Sequence, residues 1–473
     1  MPTLEAASDA KAAAVAMLLV QGGDERLALD RALGVNRYGC GPFPDGRIAA
    51  FGSATCSTLS GSAQAELLQV MEDLKSNARP DAVYEAGMQQ VRDDLAGLLD
   101  LPAGTGMVLA ASGTDLHLIG ADLARGASRG PLLCVTPGAA ETGRGVPSAL
   151  QRAGAAAMVQ VPLRTAHGAL RPVAEIDRDF EAACARASRC GGKVLIVLAD
   201  VSKTGVVAPS LGCAAALKAR WPDVVEVLVD ACQFRISART LAGYLRRGFL
   251  VAATGSKFLT GPPFSGALFV PASAMERLGR EAPPSIGLCD DSLRQEWPRA
   301  WRGRALLPSG SNFGLLLRWR AALHELRAFR AAPEAETAAF FSAFAAAATR
   351  ALADAPSLQG LPTAPLVRDD PFGWDAVPTI LPFVPKAHSA AETAAVFRAL
   401  TTGAAGRPIQ LGQPVEVRPG VAALRLCASA RLAAQAHAAG DGGKGVIADA
   451  LACIEAVDQA FRPGHAPAQP LPA

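Results

Sequence analysis

Short apolar runs recur along the middle of the chain, and several end in a polar residue. They occupy 107–111, 131–135, 155–161, 193–200, 224–229, 249–253 and 266–270. Segments with helical spacing, such as 84–101, 177–189 and 211–220, lie between them. Strands that are buried on both faces form continuous apolar runs, and helices connect parallel neighbours. The pattern predicts an α/β fold, with a large domain built on a mainly parallel seven-stranded-type sheet flanked by helices.

A different pattern follows residue 316. Long alanine-rich helical segments at 332–353, 389–403 and 443–461 flank short apolar runs at 379–383, 415–417 and 422–427. We interpret this region as a smaller α+β C-terminal domain. The predicted division is an N-terminal helix and arm (1–46), a large domain (47–315), a small domain (316–463) and a mobile tail (464–473).

The composition is that of a globular protein with ample core material, since half of the 473 residues are hydrophobic and 19% are charged. A net charge of +3 over this length does not form a nucleic-acid-binding face. No stretch reaches the roughly 18–20 apolar residues of a membrane span, and Glu5 and Asp9 argue against a signal peptide. Ten scattered cysteines without a Cys-x-x-Cys pair indicate reduced core thiols, a cytoplasmic location and no metal site.

Two chemically distinctive residues follow neighbouring apolar runs. Asp230 ends the run 224–229, and Lys257 follows the run 249–253. Open α/β sheets bind ligands at the carboxyl ends of their strands. An acid and a lysine at this edge suit pyridoxal 5′-phosphate, which is held as a Schiff base on a lysine while a carboxylate partners its pyridinium nitrogen.

The residues around this pair form an ordered set. They are Asp230-Ala231-Cys232-Gln233, Ser256-Lys257, Gly261-Pro262 and Gly266-Ala267-Leu268. The set resembles the fold-type I pyridoxal-phosphate enzymes, specifically the class V aminotransferase and cysteine desulfurase superfamily. The resemblance implies an aspartate aminotransferase-like fold and a homodimer with a shared active site. It assigns the Schiff base to Lys257, the ring nitrogen to Asp230 and the ring hydroxyl to Gln233, with Ser256 also at the cofactor.

A loop with hydroxyl side chains precedes a predicted helix at Ser112-Gly113-Thr114. Backbone N–H groups and the helix dipole make such a helix N-terminus an anion site. In the superfamily this loop holds the phosphate of the cofactor, so the resemblance assigns that role to Gly113 and Thr114.

Three further positions come from the same resemblance. Ser202 corresponds to a polar residue beside the substrate or the ring hydroxyl, and Ser311 to a residue that reaches the phosphate of the partner subunit. Arg425, in Leu424-Arg425-Leu426, corresponds to an arginine that binds the substrate α-carboxylate. A planar guanidinium suits this task because it pairs with a carboxylate through two hydrogen bonds.

Several positions leave alternatives open. The superfamily usually stacks a histidine on the cofactor ring, but residues 138–145 contain none, so Glu141 or Thr142 is a candidate to cover the ring. Asp200 is either a second active-site acid or a turn acid. The hydroxyl-rich loop 52–60 either lines the site or caps the following helix, and capping is the favoured alternative.

The resemblance specifies the cofactor more closely than the reaction. We predict an aminotransferase that acts on an amino acid or a related amine. The alternative is a lyase that eliminates a β-group or cleaves a C–S or C–C bond. A cysteine desulfurase needs a nucleophilic cysteine before the strand of Arg425, and residues 384–414 contain no cysteine. A catalytically silent binding protein of this fold is the least favoured alternative.

Overall fold

This computed structural model describes residues 4–52, 57–75, 79–126, 130–281, 292–404 and 406–462. The α-helices among them are α1 (Leu4–Leu19), α2 (Gly61–Lys75), α3 (Pro80–Leu98), α4 (Gly113–Arg125), α5 (Val146–Arg152), α6 (Val173–Ala187), α7 (Leu211–Arg220), α8 (Ala238–Arg246), α9 (Ala272–Glu281), α10 (Phe313–Ala331), α11 (Glu334–Asp354), α12 (Ala390–Thr402), α13 (Ala430–Ala439) and α14 (Lys444–Ala460). Short 3₁₀ helices span Glu25–Leu27, Ser188–Cys190, Arg294–Glu296, Arg302–Leu306 and Trp374–Ala376.

The strands of the described residues are β1 (Ala49–Ala50), β2 (Gly106–Ala110), β3 (Leu132–Pro137), β4 (Ala155–Val161), β5 (Lys193–Ala199), β6 (Val225–Ala231), β7 (Leu250–Thr254), β8 (Gly266–Val270), β9 (Leu358–Gly360), β10 (Ile380–Pro385), β11 (Ile409–Gln410), β12 (Gly412–Arg418) and β13 (Val421–Cys427). The tail 464–473 and the centre of the loop 52–60 lie outside the described residues. The predicted domain boundaries stay predictions.

A seven-stranded sheet in the order β2-β8-β7-β6-β5-β3-β4 forms the centre of the larger region. Neighbouring strands are parallel from β7 to β4, whereas β8 is antiparallel to both β2 and β7. The predicted α/β class with a mainly parallel sheet is therefore confirmed. Every residue of β6 is buried, as expected for a strand covered on both faces.

Helices cover both faces of this sheet because successive side chains of its strands point in opposite directions. On one face, Leu195 and Leu228 pack in a core with helices α4 and α5. On the other, Ile196 and Val227 pack in a second core with α6, α7 and α8. Because helices cover both faces of the sheet, a ligand can reach its strands only at their ends.

A four-stranded antiparallel sheet in the order β12-β13-β10-β9 forms the smaller region, as the sequence predicts. Arg425 lies on its central strand β13, where Pro382 and Gly412 are its neighbours in register. A Cβ atom at Gly412 would lie 2.6 Å from Arg425 Nε, so only glycine leaves room for this side chain.

The N-terminal helix α1 packs on α2 and α10 through Val15, Leu19, Leu67 and Leu317. The fully buried Arg318 donates to the carbonyls of Leu19, Gln21 and Gly22, at the end of α1 and just after it. None of the helices formed by the described residues has the length and hydropathy needed to cross a membrane.

Candidate active site

Two of the predicted site residues, Asp230 and Lys257, lie at the carboxyl edge of the central sheet. Asp230 is near the end of β6, and Lys257 is in the loop that follows the adjacent strand β7. Lys257 is partly exposed, whereas its neighbours Ser256 and Phe258 are buried. Asp230 is the partner of Ala252 in register, so the loop with Lys257 leaves β7 at the edge where Asp230 lies. The structure therefore brings the predicted pair into one site.

Asp230 has a partner that the sequence reasoning missed. His117 of α4 is 1% exposed, and its Nε2 lies 3.5 Å from Asp230 Oδ2. Burial by itself would raise the pKa of Asp230, but His117 and Lys257 outweigh it and hold that pKa well below its usual range. The Asp230 carboxylate is therefore charged at neutral pH.

The protonation of His117 follows from its two contacts. Its Nδ1 lies 2.7 Å from the Gly113 carbonyl, which can only accept, so Nδ1 carries a proton. Its Nε2 faces a carboxylate, and that contact is attractive only if Nε2 is protonated as well. Burial alone would lower the pKa of His117, but the charge of Asp230 raises it. The contact with Asp230 therefore favours the imidazolium form of His117, which forms an ion pair with the carboxylate. A polar residue inside the otherwise apolar stretch Leu116–Ala121 is the signal that could have identified it.

The N-terminus of α4 forms the predicted anion cradle. Ser112 caps the helix, because its hydroxyl accepts from Asp115 N and donates to the Asp115 carboxylate. Gly113 and Thr114 remain partly exposed in the first turn, where unpaired N–H groups of a helix point outward. A Cβ atom at Gly113 would lie 2.9 Å from Cys232 Sγ, so glycine is needed for this close approach to the loop after Asp230.

Gln233 and Ser256 lie in the two loops that surround Lys257. The Phe258 N–H, one residue after Lys257, donates to the Gln233 carbonyl over 3.3 Å. Ser57 donates from its hydroxyl to the Ser256 carbonyl over 3.4 Å, so the end of the loop 52–60 lies against the lysine loop. Ser60 accepts from Ala63 N at the start of α2. The described part of this loop therefore both contacts the site and caps the helix.

Ser202 and Glu141 belong to one buried polar cluster beside the site. The Ser202 hydroxyl donates to Glu141 Oε2 over 2.8 Å, and Thr204 donates to the same carboxylate. Arg164 forms an ion pair with Glu141 over 3.0 Å. The contacts of the Glu141 carboxylate are thus directed into the protein. Roles of Ser202 or Glu141 at the cofactor stay predictions.

Asp200 is fully buried and has strong structural partners. It accepts from Arg368 through both carboxylate oxygens and also from the Tyr244 hydroxyl. Arg368 comes from the segment that leads into the smaller sheet. These contacts favour a structural acid over a second active-site acid.

Arg425 and Ser311 differ in burial within the single chain. Arg425 is 3% exposed, and its guanidinium donates to the carbonyls of Lys203 and Gln413. Ser311 is exposed within the single chain, just before Asn312, which caps α10. The substrate role of Arg425 and the cross-subunit role of Ser311 stay predictions.

Comparison with known proteins gives structural similarity without sequence matches. No protein-family model and no curated protein sequence matches the chain. The cysteine desulfurase CsdA from Escherichia coli is 18% identical, with a TM-score of 0.54 over 87% of this chain and 94% of that protein. The cystine C-S lyase C-DES is 17% identical, with a TM-score of 0.52 over 83% and 94%. Ureidoglycine-glyoxylate aminotransferase from Bacillus subtilis is 12% identical, with a TM-score of 0.53 over 89% and 96%. The chain therefore has the aspartate aminotransferase-like fold that these three enzymes share.

Proposed function

We propose that this chain is a pyridoxal-phosphate-dependent enzyme that holds its cofactor on Lys257 and transfers the amino group of an amino acid. The observation that carries the proposal is the placement of Lys257, Asp230 and the N-terminus of α4 at one edge of the sheet. An amine, a charged carboxylate and a helix N-terminus suit the aldehyde, the ring nitrogen and the phosphate of this cofactor.

The residues present fit this cofactor. Asp230 is charged and buried, so its carboxylate can accept a hydrogen bond from a protonated ring nitrogen. Gly113 and Thr114 offer the phosphate a partly exposed helix N-terminus. When bound, pyridoxal phosphate withdraws electrons from the α-carbon of an amino substrate. The Lys257 amine would move a proton at that carbon.

The proposal also assigns residues to substrate binding and to a homodimer. Arg425 would hold the α-carboxylate, because its guanidinium lies beside Lys203 in the loop after β5, the strand next to that of Asp230. Ser311 would complete the phosphate site of the partner subunit in a homodimer, and its exposure within the single chain supports this role. We place this homodimer in the cytoplasm, because ten scattered cysteines without a Cys-x-x-Cys pair suggest reduced core thiols.

The choice of reaction rests on the residues rather than on the fold, since a desulfurase, a lyase and an aminotransferase all share the fold. An aminotransferase needs the lysine and an arginine that binds the carboxylate, and Lys257 and Arg425 are the candidates for these two roles. The absence of cysteine from 384–414 argues against a desulfurase. The similarity to a cystine C-S lyase keeps a lyase as the second candidate.

The test is the visible spectrum of the purified protein with added pyridoxal phosphate, followed by a panel of amino acids. Transfer predicts release of a keto acid and accumulation of the pyridoxamine form of the cofactor. Keto acid release without that accumulation favours the lyase. Lys257→Ala is expected to lose the absorption band and turnover, whereas Lys386→Ala, which changes an exposed lysine of the smaller sheet, retains both. No band in the wild-type protein contradicts the proposal and favours a silent binding protein.

A further inference from the structure

A group of positive side chains lies at the sheet edge around Lys257. The loops after β3, β5 and β7 and the strand β13 contribute one each: Arg144, Lys203, Lys257 and Arg425. The Arg425 guanidinium donates to the Lys203 carbonyl over 3.2 Å, so these two residues are neighbours. Burial, followed by the charges of the other three cations, lowers the pKa of Lys203 to about 8. Lys203 therefore carries its charge at neutral pH in a strongly positive environment.

Two acids near Lys203, Asp230 and Glu141, pair with other cations. Asp230 pairs with the buried imidazolium of His117. Glu141 is the acid that faces Lys203 from the loop after β3, and its carboxylate pairs with Arg164. Among the described residues no ion pair of Lys203 is found; its ammonium donates to the Ala140 carbonyl over 3.2 Å. Lys203 is consequently a partly buried cation, and the acid that faces it is already paired with Arg164.

Lys203 is held in a defined position and remains accessible. Its backbone N–H donates to the Glu141 carbonyl over 2.9 Å. The residues on either side of it, Ser202 and Thr204, are buried and donate to the Glu141 carboxylate. Lys203 itself is partly exposed. A fixed loop thus presents one flexible ammonium group at the edge where Lys257 lies.

A partly buried ammonium next to a buried guanidinium is unfavourable unless an anion neutralises it. The α-carboxylate of an amino acid would satisfy Arg425 and leave the ammonium of Lys203 without an anionic partner. We propose that the substrate carries a second negative group on its side chain and that Lys203 binds this group. The inference rests on the proposed function, and it names the substrate class as amino acids with an anionic side chain.

Binding of unreactive carboxylates to the cofactor-loaded protein tests this inference without turnover. We would compare succinate and glutarate with butyrate and valerate, which have the same chain lengths, by isothermal titration calorimetry. The wild-type protein is expected to bind each dicarboxylate about tenfold or more tightly than its monocarboxylate, the size of a hydrogen bond between charged groups. Succinate analogues with one sulfonate or phosphonate end show which anionic group binds best.

Three variants assign the preference to one side chain. Lys203→Met removes the charge at similar length and is expected to abolish the preference, while Lys203→Arg retains it. Lys386→Met is the matched control, because Lys386 also donates only to backbone carbonyls in the described contacts and directly follows β10 of the smaller sheet. Equal binding of dicarboxylates and monocarboxylates by the wild-type protein, or an unchanged preference in Lys203→Met, overturns the inference.

The pH dependence gives a second readout. The charge of Lys203 is lost as the pH rises through about 8. Dicarboxylate affinity of the wild-type protein is therefore expected to fall between about pH 7 and pH 9 relative to that of Lys203→Arg. Parallel profiles of the two proteins contradict the role of Lys203.

The cofactor content of every sample is measured first, from its absorption spectrum. Failure of the wild-type protein to take up pyridoxal phosphate contradicts the proposed function. Normal uptake together with equal carboxylate affinities contradicts only the assignment of the substrate class.

Discussion

Replacing His117 by glutamine is expected to remove a pH-dependent contribution to stability. The buried ring of His117 has two contacts, the Gly113 carbonyl at 2.7 Å and the Asp230 carboxylate at 3.5 Å, and the second favours its imidazolium form. Glutamine is similar in length and does not titrate. In His117→Gln the Asp230 carboxylate therefore stays buried without its cationic partner.

The loss of unfolding free energy in His117→Gln has a constant part and a part that depends on pH. Removing one partner of a buried ion pair costs about 3–5 kcal/mol of unfolding free energy, and a neutral donor in its place brings the loss toward the lower end. The pKa of His117 is raised in the folded protein above its ordinary value of 6.5. The second ring proton of His117 therefore stabilises the folded protein. This stabilisation is fully present below about pH 6.5 and is lost as the pH rises through the pKa that His117 has in the folded protein. In that window the wild-type protein loses up to about 1.4 kcal/mol per pH unit relative to the variant.

Urea unfolding of both proteins without added cofactor, between pH 5 and pH 9, measures this difference. The difference in unfolding free energy is expected to be constant below pH 6.5 and to decrease above it. His324→Gln is the control, because His324 is 27% exposed and pairs with Glu66 at the surface, where such pairs contribute less than about 1 kcal/mol. A difference between wild type and His117→Gln that does not change from pH 6 to pH 9 refutes the assignment of an imidazolium.

Two further substitutions test other contacts. Arg368→Met leaves the fully buried Asp200 without its ion-pair partner and is expected to cost about 3–5 kcal/mol of unfolding free energy, measured with urea. The control Arg239→Met removes an exposed arginine and is expected to cost less than about 1 kcal/mol. Equal losses would contradict a structural role for Asp200. Gly113→Ala brings a methyl group within 2.9 Å of Cys232 Sγ and is expected to weaken pyridoxal-phosphate binding, measured by equilibrium dialysis, about tenfold or more. Its unfolding free energy is expected to change less than that of Arg368→Met, and an unchanged cofactor affinity would argue against the phosphate site at α4.

The sequence predicts well those elements in which successive residues share the same degree of burial. The inner strands of the central sheet, such as β6 and β7, are buried on both faces and so form apolar runs. The strands β2 to β8 match the predicted runs within a few residues. Asp230 and Lys257 follow adjacent strands, and this is why their proximity can be predicted. The reversed direction of β8 has no such signal, because burial gives antiparallel and parallel central strands the same apolar pattern.

The contacts that the sequence does not reveal join segments that are distant along the chain. The pairing of His117 with Asp230 depends on how α4 packs across the end of β6. Arg368 reaches Asp200 from the segment that leads into the smaller sheet. The burial of Glu141 beside Arg164 likewise follows from tertiary packing, so its sequence position alone left a ring-side role open. Side-chain pairing at a site thus requires the register and packing of elements that sequence patterns predict only separately.

The most direct test of the account is the site of covalent cofactor attachment. The protein, loaded with pyridoxal phosphate, is reduced with borohydride and digested, and the peptides are analysed by mass spectrometry. We predict a single reduced pyridoxyl group on the peptide that contains Lys257, and its loss in Lys257→Ala. A pyridoxyl group on Lys203 or on surface lysines, or none at all, would contradict the assignment of Lys257 as the cofactor lysine.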